Sequence, residues 1–131
     1  DRDALLWNYE SVEFFFAGKD GVSRQYILAP PGKLADFSHP AENINQAMAW
    51  NSQKVKWSAE RKGENGWVGE ITVPLTDLVP NEDGSFAVNF YRNHHYRPAA
   101  GKSWVWEQSG WLPVYGGFHK VERFGKMTLL P

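Results

Sequence analysis

The chemically conspicuous side chains of this 131-residue chain are its aromatics, 7 Trp, 5 Tyr and 8 Phe, set in a sequence with no cysteine. Each buried indole needs a partner for its N–H, and seven are more than a small core easily holds. Some are therefore expected at the surface, as flat apolar faces offered to a ligand. Absence of cysteine removes thiolate zinc sites and thiol nucleophiles. The histidines give little for a transition metal. His94 and His95 are adjacent and diverge to opposite faces of an extended chain, and His39 and His119 have no carboxylate neighbour at ligand spacing. Asp1, Asp3, Asp20, Glu82 and Asp83 offer oxygens of the kind calcium takes, but no EF-hand-like loop frames them. There is no Gly-x-Ser-x-Gly elbow, phosphate loop or dinucleotide fingerprint. Glycoside hydrolysis needs two carboxylates facing each other across a bond, a pairing that sequence spacing does not reveal. The residue types favour a protein that is not an enzyme.

Charge narrows the partners. With 14 Lys and Arg against 15 Asp and Glu, scattered rather than blocked, there is no electrostatic footprint for nucleic acid or an anionic membrane. No apolar run approaches the roughly 20 residues of a membrane helix.

The elements that must position these residues read as strands. Ser11 to Ala17 and Ser23 to Ala29 form a hairpin around Gly18 to Gly21, and Pro30-Pro31-Gly32 closes the second strand before a short third, Lys33 to Phe37. Residues 38–51 lack alternation and read as a loop with one helical turn. Val55 to Arg61 and Trp67 to Val73 make the clearest hairpin, followed by a helical turn at Pro74 to Leu78 and a strand from Ser85 to Tyr91. Arg92 to Gly101 reads as polar loop, Ser103 to Glu107 as a short strand, Gly110 to Gly117 as a loop and Phe124 to Leu130 as the last strand. Six to eight short strands and no long helical period predict one all-β domain over residues 1–131, an antiparallel β-sandwich of immunoglobulin-like or jelly-roll-like type. A chain of this length can bury roughly 65–70% of its unfolded surface.

Three stretches together resemble one family. Residues 6–15, Leu-Trp-Asn-Tyr-Glu-Ser-Val-Glu-Phe-Phe, look like the tryptophan, acidic/serine and "VEIF" segment of carbohydrate-binding module family 9 and its family-9-like relatives. Residues 66–78, Gly-Trp-Val-Gly-Glu-Ile-Thr-Val-Pro-Leu-Thr-Asp-Leu, are similar to its "GWxVEIAIPxxxL" hairpin. Phe90-Tyr91-Arg92-Asn93, then residues 117–125, Gly-Phe-His-Lys-Val-Glu-Arg-Phe-Gly, resemble "FYR" and "HDPxxFGxLxL". Family members carry a further segment before the tryptophan motif, so the resemblance implies the later two-thirds of a sandwich. Missing opening strands or a second chain would then complete the sheet, and the chain alone would leave an open edge prone to association.

The resemblance implies non-catalytic binding of a polysaccharide or oligosaccharide in a slot between two rings, here Trp7 and Phe118, with Glu13 on the sugar hydroxyls. Gln25, Asn89, Tyr91, Arg92 and Asn93 are the further hydroxyl partners expected. Two positions depart from the pattern: Ile27 stands where the family offers arginine, and Tyr91 where it offers glutamine. Both weaken the expectation of a reducing-end preference. Trp111, in a Gly/Pro loop, is the best additional surface aromatic. Trp104 and Trp106, two apart, should share a strand face and read as one wall of the core rather than an extended glycan platform. Trp57 and Trp67 should pack across their hairpin. The resemblance further implies a protein of bacterial origin, secreted to an extracellular or periplasmic location, an accessory to a glycoside hydrolase or larger polysaccharide-acting protein. It requires no cofactor, though structural calcium occurs in the family. Two other readings follow from it: a haem-binding electron-transfer sandwich, for which Met48 and Met127 lack histidine partners in the matched positions, and a purely structural module.

Overall fold

The computed structural model describes residues 2–40 and 42–130. It is an all-β, sandwich-like fold of two antiparallel sheets. The strands are β1 (Ser11–Ala17), β2 (Ser23–Ala29), β3 (Lys33–His39), β4 (Lys56–Lys62), β5 (Gly66–Thr72), β6 (Ser85–Tyr96), β7 (Val105–Gly110) and β8 (Gly125–Thr128), with short helices α1 (Ile44–Met48) and α2 (Leu75–Leu78). The larger sheet runs β3-β2-β1-β6, and then the long β6 takes two neighbours on its outer side. Its first four residues pair with β8 and its last six with β7. β4 and β5 form the second sheet.

Alternation gives the larger sheet two different faces. Phe16, Tyr26, Leu28, Leu34, Phe86 and Val88 point to one side and bury against Ala59, Trp67 and Ile71 of the β4–β5 layer, with Val55 just before β4 and Leu78 of α2. On the other side lie Ser11, Glu13, Phe15, Gln25, Ile27, Phe37, Asn89, Tyr91 and Asn93, brought onto one face by the strand register. This face has no second sheet among the described residues. It is covered instead by the 3-10 turn Leu6–Asn8, by α1 and by the segment between β7 and β8. Asn43 caps α1, its side chain accepting from the Gln46 N–H at 3.0 Å.

Several expectations are corrected. β6 does not stop at Tyr91 but continues through Tyr96, and Arg92 to Tyr96 are strand rather than loop. Their polar side chains find partners on both faces of the sheet, a condition that local composition does not reveal. β7 is displaced from 103–107 to Val105–Gly110, so Trp104 lies outside the ladder and does not share a face with Trp106. Both are exposed, at 67% and 51%, and neither is a wall of the core. Trp57 and Trp67 are not a cross-strand pair either, because the register sets Trp57 opposite Ile71 and Trp67 opposite Arg61. Trp57 reaches away, donating its indole N–H to the Gly32 carbonyl at 3.0 Å.

A buried polar knot ties the layers together. The fully buried Asp36 carboxylate on β3 accepts from Arg2 at 3.0 and 2.7 Å and from the Ser52 N–H at 2.7 Å. Ser52 Oγ in turn donates to Asp77 of α2, which also accepts from the Tyr26 hydroxyl at 2.9 Å. Removing a buried acceptor strands its donors, at about 2–3 kcal/mol for charged partners. Asp36→Ala is expected to lower stability by about that amount in urea unfolding, whereas Lys126→Ala, which breaks only the exposed pair with Asp83, should leave the midpoint unmoved.

Candidate functional site

A cleft of about 330 Å³ opens on the polar face of the larger sheet, lined by Trp7, Glu13, Gln25, His39, Ile44, Trp106, Gln108, Gly116, Gly117, Phe118 and His119. Its floor is a chain of hydrogen bonds that takes one residue from each of β3, β2, β1, β6 and β7, in spatial order. His39 Nε2 meets Gln25 Oε1 at 3.1 Å, and Gln25 Nε2 donates to Glu13 at 2.7 Å. From the other side Gln108 donates to Asn93 Oδ1 at 2.9 Å, and Asn93 Nδ2 donates to Glu13 at 2.5 Å and to Ser11 Oγ at 3.1 Å. The register puts Gln25 and Asn93 diagonally across from Glu13, the separation that long polar side chains span.

Both amides therefore aim their N–H groups at one carboxylate. Glu13 is 2% exposed, and its cross-strand neighbour Ile27 is fully buried and apolar. Burial pushes the Glu13 pKa up, and the bonds from Asn93 and Gln25 pull it back towards the ionised form. Among the described residues no cation pairs with it. The imidazole of His39 is held down to about 4, chiefly by burial and then by the His119 ring 4.2 Å away. Desolvation lowers His119 too: the residue is exposed, but its ring lies 5.1 Å from Phe15. With Gln25 Oε1 only able to accept, neutral His39 carries its proton on Nε2.

Aromatic walls rise from this floor. Trp7, half-buried on the 3-10 turn, leans on Phe37 at 5.7 Å. Phe118, also half-buried, lies flat on Tyr91, centroids 3.8 Å apart and planes 8° from parallel. Tyr91 itself rests against Gly110, its cross-strand neighbour on β7, where a Cβ would come within 2.9 Å of the ring. Asn89 clamps the segment that carries Phe118, donating to the Leu112 carbonyl and accepting from the Leu112 N–H, both at 3.1 Å. Phe15 packs edge-on against Tyr91, His119 and Phe124 from beneath.

Of the residues singled out in the sequence, Trp7, Glu13, Gln25 and Phe118 line the cleft. Asn93, Tyr91 and Asn89 sit behind it, buried, as supports for Glu13 and Phe118. Arg92 and Trp111 lie elsewhere. Arg92 alternates to the opposite face, where it pairs with Glu10 at 3.0 Å, and Trp111 packs on Phe90 at 5.6 Å, 54% exposed. His39, Trp106, Gln108, His119 and Ile44 are additional. Carrying the alternation of β3 on to His39, and that of β7 to Gln108 opposite Asn93, brings three of these onto the site face.

A larger groove of about 930 Å³ lies on the other face, lined by Glu10, Arg92, His94, Trp67, Tyr96 and Trp104 among others. Its Glu10 is engaged by Arg92 and His94. Burial disfavours the Glu10 carboxylate, but bonds from His94, Arg92 and Trp67 outweigh it and hold the pKa below the usual value. The cleft is the better candidate because its carboxylate has no charge partner among the described residues. No three His, Asp or Glu converge on a metal-sized point among the described residues. Asp20 pairs with Arg24, Asp83 with Lys126, and Asp1 lies outside the described residues. Met48 packs against the Leu6 cluster and Met127 is exposed on β8. No helix among the described residues is long and apolar enough to cross a membrane.

Two outcomes follow. Gly110→Ala should push Tyr91 off its seat at a cost of about 1–3 kcal/mol, read as a lower Tm and a changed near-UV circular dichroism signal. His39 binds protons in the unfolded chain from about pH 6.5 but in the fold only near 4, so its contribution to stability is lost as the pH falls through that window. Glu13, raised by burial, contributes in the opposite sense, favouring the fold at low pH. The difference between wild type and His39→Asn, measured as Tm against pH, should therefore shrink from pH 7 to pH 4.

No protein-family model, curated protein or solved structure matches this chain, so the functional reading rests on the quoted motifs and on the geometry of the cleft itself.

Proposed function

We propose that the cleft binds one sugar ring of a glycan and performs no chemistry on it. A pyranose presents C–H groups on its faces and hydroxyls around its rim. Trp7, Trp106 and Phe118 offer apolar faces to the former, and Glu13, Gln25, Gln108 and His39 line the same cleft with acceptors and donors for the latter. The observation that carries this reading is the buried Glu13 carboxylate at the floor of an aromatic cleft. Two of its roughly four lone-pair sites are taken by Gln25 and Asn93, leaving acceptor capacity for hydroxyl donors. A volume of about 330 Å³ lies at the small end of ligand pockets, which run from roughly 300 to 1,000 Å³. Glu13 is also the only carboxylate among the described residues lining the cleft, whereas hydrolysis of a glycosidic bond uses two. Hydroxyl bonds to protein replace bonds to water at small net gain, so affinity should be weak to moderate. On this reading the protein works outside the cytoplasm, extracellular or periplasmic, where polysaccharide is met.

Calorimetric titration with soluble β-glucans, xylans and monosaccharides tests the proposal. Trp7→Ala and Phe118→Ala should each weaken binding about tenfold, equivalent to about 1.4 kcal/mol, with Tm as the control for folding. Binding that survives both changes unaltered removes the aromatic cleft from the function.

A further inference from the structure

The cleft floor carries a carboxyl group that no cation pairs with among the described residues. Glu13 is buried, its bonded partners Gln25 and Asn93 are neutral amides, and the apolar Ile27 stands directly across the strand pair. Each amide is fixed in orientation by a second donor, His39 on Gln25 Oε1 and Gln108 on Asn93 Oδ1, so neither can turn its oxygen towards the carboxylate without losing that bond. The whole row is polarised to hold an anion. Two imidazoles stand nearby, but burial disfavours charge on both, and for His39 the His119 ring 4.2 Å away adds to it. The ammonium of Lys120, on the segment behind Gly116, is occupied by the Tyr115 carbonyl at 2.8 Å. A buried charge without a counter-charge is costly, and a ligand that brings the opposite charge recovers that cost on binding. The walls suit the same cargo, because the faces of Trp7, Trp106 and Phe118 attract cations as well as C–H groups.

We infer that the cleft prefers a sugar carrying a protonated amine, such as a deacetylated 2-amino sugar within a β-linked glycan, with its ammonium seated on Glu13. This rests on the carbohydrate reading above and narrows its ligand class.

The test compares three disaccharides of the same β-1,4 linkage near pH 6, where an amine is protonated: the glucosamine dimer, the N-acetylglucosamine dimer and cellobiose. The free amine should bind at least about tenfold more tightly than cellobiose, the acetylated dimer should show no such gain, and in Glu13→Gln the ratio of amine to neutral affinity should fall towards one. Cellobiose binding as tightly as the free amine overturns the inference and leaves the sugar reading in place. An undiminished ratio in Glu13→Gln does the same, by moving the preference away from this carboxylate. If none of the three binds at millimolar concentration, the inference fails, and the carbohydrate reading stands or falls with the β-glucan and xylan titrations. The wild-type comparison stands alone should the variant fail to fold.

Discussion

A single buried carboxylate organises the polar half of this molecule. Taking Glu13 out of water is costly unless hydrogen-bond donors replace it, and the strands flanking β1 each supply one. Those donors are amides, which need acceptor-side partners of their own, and the outer strands supply them through His39 and Gln108. The requirement thus spreads from one residue to five strands. A face that would otherwise be a second hydrophobic layer becomes a row of aligned dipoles with rings at its border.

The two sides of β6 show how differently similar residues can be used. On one side Asn89, Tyr91 and Asn93 support the cleft. On the other, Arg92 and His94 close on Glu10 in a neutralising cluster. Glu10 in the wider groove thus has a cationic partner, and Glu13 in the smaller cleft has none among the described residues. Volume alone points to the wider groove, and the carboxylate without a cation points to the cleft.

Much of the fold was legible. β1, β2, α2 and the β4–β5 hairpin follow from alternation, turn glycines and prolines that interrupt pairing, and the structure agrees to within a residue or so. The miss at Arg92 to Tyr96 has a clear cause. A polar run reads as loop unless its side chains have partners, and those partners, Glu10 and Glu13, are about 80 positions away in sequence. The later start of β7, at Val105 rather than position 103, leaves Trp104 outside the ladder. Within the site, Trp7, Glu13, Gln25 and Phe118 came from motif and pattern. His39 and His119 did not, since only tertiary packing brings positions 39 and 119 together. Arg92 lies one step out of parity with Tyr91 and Asn93, so β6 turns it to the other face.

The segment that carries Phe118 hangs from the sheet by side chains: Asn89 grips Leu112, Tyr91 lies under Phe118, and Phe15 props the whole from below. Frame and rim are separable in consequence. Changes at the exposed positions 115–117, between the buried Val114 and the half-buried Phe118, would reshape the opening while the strands beneath keep their pairing.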